Sequence, residues 1–305
     1  MARVLQAGLV TGLVLQPVID GAAQTPPAAA ASAQAPLPDR DTLIARVREN
    51  IRPDWSLQAQ YTYLERQVAF EAGKGGGSVV KRERVYEIYP AADPKLMYRR
   101  LVSENGRPVP ASELKKRDEK YREKVRKYVE SLGGEGTAVA ERRARAEARE
   151  RFEDDRRIDD VFRAYKMEVT GRERLEDHPV FVVDFAPIAG AKTTSDIGKY
   201  LGKFRGRAWV SEHDYEVVRV EAEALEPLSI GFGFVARINR GARFRFQRRK
   251  VNDEVWLPGE ASIVLSGRVA LVKPLRVDQQ ITYSEYKKFT ADAQIVSFSV
   301  PKDEQ

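Results

Sequence analysis

From residue 204 onward the chain is a series of short segments, 204–211, 215–225, 230–239, 242–251, 254–266 and 275–289, in which apolar and polar residues alternate and turn residues intervene. A period of two lets a strand bury one face and wet the other. Such segments in series predict a curved antiparallel sheet whose inner face needs a cover. The same alternation begins much earlier: Leu57, Ala59, Tyr61 and Tyr63 alternate with Gln58, Gln60 and Thr62 in a strand predicted over 56–71. Strands over 78–90 and 95–104 follow, with the glycine-rich cluster at 73–77 as a hairpin tip and Asn105-Gly106 closing the third.

Two stretches break the strand pattern. Asp39-Arg40-Asp41 precedes Leu43, Ile44, Val47 and Ile51, which fall on one face of a short helix with an aspartate at its start and Pro53 beyond its end. Between 111 and 165 the period shifts to about 3.6 and the composition to Lys, Arg, Glu and Ala, which predicts a helical insertion broken at Gly133-Gly134. Its first arm carries Leu114, Tyr121, Val125, Tyr128, Val129 and Leu132 on one stripe. The second gains Phe152, Ile158, Val161, Phe162 and Tyr165 only near its end. Interspersed opposite charges fit a solvated helix laced with ion pairs, and also an arm for a protein partner. After it, 167–175 and 179–188 form a hairpin around Glu176-Asp177-His178, and 189–202 a loop. The expected fold is α+β: a curved antiparallel half-barrel covered by helices, spanning 39–291, with the charged insertion at 111–165 and a C-terminal tail at 292–305.

Residues 1–23 have the pattern of a secretory signal peptide: Arg3, a mostly apolar run from Val4 to Ile19, then Gly21-Ala22-Ala23. The Pro/Ala-rich stretch 24–38 reads as a linker. A periplasmic address follows, with a soluble mature chain making at most peripheral membrane contact. The chain has no cysteine, so it carries neither a disulfide nor a lipid-modified cysteine. A formal net charge of +7 would suit nucleic acid, but export excludes that partner and leaves anionic headgroups or an acidic envelope polymer.

Catalytic and metal-binding patterns are missing from the sequence. His178 and His213 are the only histidines, each in a turn beside acidic residues, without the spacing a metal site needs. No cofactor is implied. The acidic run Glu153-Asp154-Asp155 with Asp159-Asp160 lies among Arg151, Arg156 and Arg157, a pattern of surface ion pairing. No serine lies in a nucleophile-elbow pattern, and the glycines at 73–77 lack the residues of a phosphate loop.

The apolar alternation says more. Phe232, Phe234, Ala236 and Ile238 share one face of a single strand, Val218, Val220, Ala222 and Ala224 one face of another, and Phe181, Val183 and Phe185 one face of a third. Two readings stand: a plain core filled by the 39–51 helix and part of the insertion, or a partly open concavity that accepts an acyl chain. On the second, Phe181, Phe185, Val220, Phe232, Phe234 and Ile238 line the site, and Gly231 and Gly233 help the strand bend.

Arg207-Ala208-Trp209-Val210 followed by Asp214-Tyr215-Glu216-Val217-Val218-Arg219-Val220 resembles the strand–turn–strand of the periplasmic lipoprotein-carrier superfamily, the outer-membrane lipoprotein-sorting proteins of LolA/LolB type. Phe244 to Gln247, Glu254 to Pro258 and Ile281 to Tyr286 fit the same meander. The resemblance implies an exported, non-enzymatic carrier of lipids or acylated lipoproteins. The insertion departs from the small carriers. It leaves open an envelope interaction module that binds a protein partner through 111–165 over a filled sheet core.

Overall fold

The computed structural model describes residues 36–51, 55–73, 77–91, 96–133, 137–230, 235–270 and 272–289. The expected signal peptide, most of the linker and the tail at 292–305 lie outside the described residues, as do Phe232 and Phe234. Every element below belongs to one compact unit, Leu37–Gln305.

Helix α1 (Arg40–Asn50) starts where the sequence places it: the Asp39 carboxylate accepts from the Thr42 backbone N–H at 2.9 Å. Leu43 and Val47, one turn apart, are its buried residues. The strand expected from residue 56 begins later. Trp55–Gln58 forms one helical turn (α2), and β1 (Tyr61–Ala72) starts after it. Leu57 packs there against Tyr61, Val255 and Leu257, so a tertiary contact overrides the local alternation.

β1 turns into β2 (Ser78–Tyr89), with the Gly73 N–H donating to the Gly77 carbonyl at 2.7 Å. β3 (Tyr98–Glu104) and β4 (Arg107–Pro108) are joined by Asn105 and Gly106, whose φ angles of 52° and 75° are those of a primed hairpin turn. The insertion folds as α3 (Ala111–Gly133) and α4 (Thr137–Ala164). Then come β5 (Tyr165–Leu175), β6 (His178–Pro187), the short α5 (Gly198–Leu201), β7 (Phe204–Ser211) and β8 (Val217–Ala224). β9 (Leu228–Ile230), β10 (Ala236–Ile238), β11 (Arg243–Val251), β12 (Val255–Val269) and β13 (Lys273–Lys288) complete the described elements.

The strands form one antiparallel sheet in the order β4-β3-β2-β1-β13-β12-β11-β8-β7-β6-β5, with β10 added beside β12 and β9 beside β10. The last strand returns to pair with the first, and the end strands β4 and β5 stay apart, so the sheet is open. The expected α+β architecture is the one observed. One row of cross-strand partners, Ala208–Val220–Phe246–Ala261–Ile281–Gln67, defines a common face. On that face of β13, Leu275, Val277, Gln279, Ile281 and Tyr283 are half-buried, while Arg276, Gln280, Thr282 and Ser284 opposite them are exposed.

α1 and the last turns of α4 cover this face over β5–β8, where Leu43, Val47, Phe181, Val183 and Val210 form a buried cluster with Phe162 and Met167 against it. α3 takes the other face, at β3. The Tyr121 ring stacks on Tyr98 at 4.2 Å, and Asp118 accepts from the Tyr98 hydroxyl at 2.7 Å and from Arg100 at 2.9 Å. The second face is also buried near Trp209 and Trp256, which pack with Val180, Val182 and Val218.

One strand expected as continuous is not. Residues 230–239 were predicted as a single strand, but Ala236 pairs antiparallel with Ile230 and Ile238 with Leu228. The chain therefore reverses between Ile230 and Ala236, and two short strands replace one.

Candidate ligand-binding face

Between α1, the end of α4 and strands β5–β8 lies a cavity of about 280 Å³ with wholly apolar walls. Leu43, Val47 and Ile51 come from the α1 region, Val161 and Phe162 from α4, and Met167, Val183, Phe185, Ala208, Val210, Val217 and Val220 from the sheet. A bulge shapes this wall. Val210 pairs with Val217 and Trp209 with Arg219, so Val217 and Val220 face the cavity while Val218 turns to the Trp209 side. The sequence alternation had Val218 and Val220 on one face; the extra residue of the bulge shifts the phase between them. At Gly206 of β7 a Cβ would run into the Glu221 carbonyl oxygen and the Phe185 ring, so only glycine lets the strands approach as they do there.

The rim is polar and tied down. The Tyr165 hydroxyl donates to the Leu201 carbonyl, its ring meets Phe185 edge-on at 5.1 Å, and burial pushes its phenol up to about 12. Arg48 of α1 pairs with Asp159 of α4 and lies 5.5 Å over the Phe162 ring. Arg172 lies over Phe181 and pairs with Glu212 at 3.0 Å.

Of the six positions expected to line a site, Phe185 and Val220 stand in the cavity wall, and Phe181 is buried in the cluster beside it. Ile238 pairs with Gly267 and packs elsewhere, with Ala224, Leu228, Ala242 and Leu265. Phe232 and Phe234 lie outside the described residues.

Two buried carboxylates escaped the sequence reading. Glu65, on the cavity side of β1 and 8% exposed, accepts from Arg99 and from Gln67 at 2.6 Å. Tyr63 and Tyr283 neighbour it; burial raises both phenols, Tyr283 to about 12. Glu65 continues the odd-numbered alternation of Tyr61 and Tyr63, which is the signal that would have found it. Asp160, at the end of the acidic run, has no exposed surface. It accepts from the backbone N–H groups of Thr194 and Ser195 at 2.7 and 2.6 Å and from the Ser195 hydroxyl at 2.7 Å. Its neighbours in the run are surface ion pairs: Glu153 with Arg156 at 2.9 Å and Asp154 with Arg157 at 2.7 Å.

A larger open groove of about 750 Å³ follows the other face of β6–β12. A ladder of ion pairs runs along it, Arg207 with Asp184 at 2.6 Å, Arg245 with Glu221 at 3.3 Å and Arg205 with Glu223 at 3.4 Å, among the apolar groups of Trp209, Phe244 and Val264. His178 packs edge-on against Trp256 at 5.1 Å, and His213 lies in the β7–β8 turn. Among the described residues no three His, Cys, Asp or Glu side chains are placed to share a metal ion.

No protein-family model matches the chain, and no curated protein matches it. Structural comparison returns a DUF1329 family protein from Desulfovibrio piger, 10% identical, with 82% of this chain and 92% of that chain covered and a TM-score of 0.29. It also returns a LolA superfamily protein from Nitrosomonas europaea, 9% identical, covering 85% of this chain and 97% of that chain with a TM-score of 0.27. Likenesses at these TM-scores carry no weight on ligand or activity.

Proposed function

We propose that this chain is an exported, non-enzymatic protein of the periplasm that binds acyl chains of lipids or lipoproteins on the α1-covered face of its sheet and carries them within the envelope. The observation that supports this is the apolar cavity itself: its wall exposes no polar surface, and it lies on the same sheet face as Phe246, Ala261, Ile263 and Ile281, which are half-buried. A hydrocarbon chain is the ligand such a wall suits. Each buried methylene contributes about 0.8 kcal/mol, so affinity should rise about fourfold per methylene until the space is filled. At about 280 Å³ the cavity is near the lower end of the ~300–1,000 Å³ of ligand pockets, enough for part of one chain with the rest along the open face.

Native mass spectrometry of the exported chain, purified without detergent, tests the reading. Copurified lipid at fixed stoichiometry, lost in a folded Val220→Asp variant, is the expected result. Undiminished lipid in that variant, or a clean apo mass that stays unchanged on adding phospholipid or acylated peptide, refutes it.

A second reading, an envelope interaction module, has one observation in its favour: Phe152 of α4 and Val129 of α3 are 61% and 56% exposed on the insertion. A partner retained by the wild-type chain, lost in a Phe152→Asp, Val129→Asp variant and indifferent to Val220→Asp would favour it.

A further inference from the structure

The start of β10 and the end of β12 meet at one rim of the sheet. Ala236 pairs with Val269, and the Ala270 N–H donates to the Val235 carbonyl at 3.1 Å. Val235 is 58% exposed and Val272 82%, an unusual exposure for two neighbouring branched apolar side chains. The surrounding charge has one sign: residues 227–252 and 261–277 contain no Asp or Glu. Arg237 and Arg268 stand directly opposite each other on adjacent strands, both exposed, and Lys273 begins the next strand opposite Val269. Like charges facing each other across a ladder are destabilising. Among the described residues none of these three makes an ion pair, whereas Arg205, Arg207 and Arg219 on the same sheet are each matched to a carboxylate.

Exposed valines set in unmatched positive charge complement a surface that is negative outside and apolar beneath. We infer that this rim docks on an anionic phospholipid bilayer, with Val235 and Val272 entering the headgroup layer and Arg237, Arg268 and Lys273 engaging lipid phosphates. The contact is a surface one and leaves the rest of the sheet in water. It is separate from the acyl-binding reading, since the rim docks whether or not the cavity is filled.

Flotation of the exported chain with vesicles tests it. The wild type should float with phosphatidylcholine–phosphatidylglycerol vesicles and not with phosphatidylcholine alone, and salt should release it. Each basic residue contributes about fivefold to such binding, so the Arg237→Glu, Arg268→Glu, Lys273→Glu variant should lose at least about a hundredfold. Circular dichroism checks that this variant is folded. Because the chain has no cysteine, a single Val272→Cys carrying an environment-sensitive dye reads the contact directly: its emission should rise and shift to the blue on anionic vesicles. Failure of the wild type to float, equal flotation of the folded charge variant, or solvent-like emission at position 272 with the protein bound would each overturn the inference. So would retention of a protein partner through this rim without vesicle binding.

Discussion

Removing the Asp160 carboxylate measures how firmly the insertion is fastened to the sheet domain. The side chain has no exposed surface, and one of its oxygens takes three hydrogen bonds of 2.6–2.7 Å from Thr194 and Ser195. Arg163 donates to the other oxygen at 3.1 Å. Burial works to raise its pKa, but the hydrogen bonds from Ser195 and Thr194 and the Arg163 charge outweigh it and hold the group below the ordinary carboxylate value. In Asp160→Ala two backbone N–H groups lose a charged acceptor, each at about 1–3 kcal/mol, and the Ser195 hydroxyl loses one as well, for a total of about 3–5 kcal/mol. At about 2–4 °C per kcal/mol in a domain of this size, the melting temperature should fall by about 10 °C. Asp160→Asn keeps one accepting oxygen and should lose about half as much. Urea unfolding followed by tryptophan emission gives both numbers, with Trp209 and Trp256 buried in the sheet as reporters. A loss below about 1 kcal/mol for Asp160→Ala at unchanged m-value would mean that the loop at 189–197 stays in place without this carboxylate, and the reasoning would fail.

Acid titration reads a second carboxylate. Burial acts to raise the pKa of Asp214, yet hydrogen bonds from Lys250, Ser211 and Trp256 hold it at about 2 against an ordinary value of 3.8. A depressed acid stabilises the fold above its unfolded pKa and ceases to as pH falls toward its folded one, so about 2 kcal/mol should disappear between about pH 4 and pH 2. Asp214→Asn should remove that part of the acid dependence in denaturation curves; an unchanged curve would count against it. Leu43, fully buried on α1, adjoins the cavity, so Leu43→Ala should cost about 2–5 kcal/mol and enlarge the space, read as a lower melting temperature with uptake of a bulkier acyl probe. Tyr98→Ala removes the ring on which Tyr121 stacks and the hydroxyl that Asp118 accepts, so hydrogen exchange should quicken throughout α3 while the β5–β8 amides stay protected.

What the sequence showed of this fold was what local chemistry decides. Alternation located the strands other than β4 and the β9–β10 pair, the Asp39 cap located α1, Asn105-Gly106 located the primed turn, and the change of period at residue 111 located the insertion. What escaped it depends on partners distant along the chain. A strand that folds back on itself keeps its alternation, so 230–239 read as one strand although Ala236 pairs with Ile230. The β8 bulge changes the phase of Val218 and Val220 without leaving a mark in residue type, because both are valines. Glu65 drew no reading and Asp160 read as a surface acid because the groups that satisfy them, Arg99 and the Thr194–Ser195 backbone, lie 34 or 35 positions away. Phe181, Val183 and Phe185 do share a face, as their alternation in β6 requires.

The junction between insertion and sheet has no linker: α4 ends at Ala164 and β5 starts at Tyr165, both buried, and the Ala164 carbonyl accepts from the Ile188 N–H at 2.8 Å. A hinge needs residues free to change their dihedral angles, and here none are spare. Helix α4 is therefore a lever clamped at its base. A load on its far end has no joint to absorb it and reaches Val161, Phe162 and Tyr165, three residues of the cavity wall, as displacement.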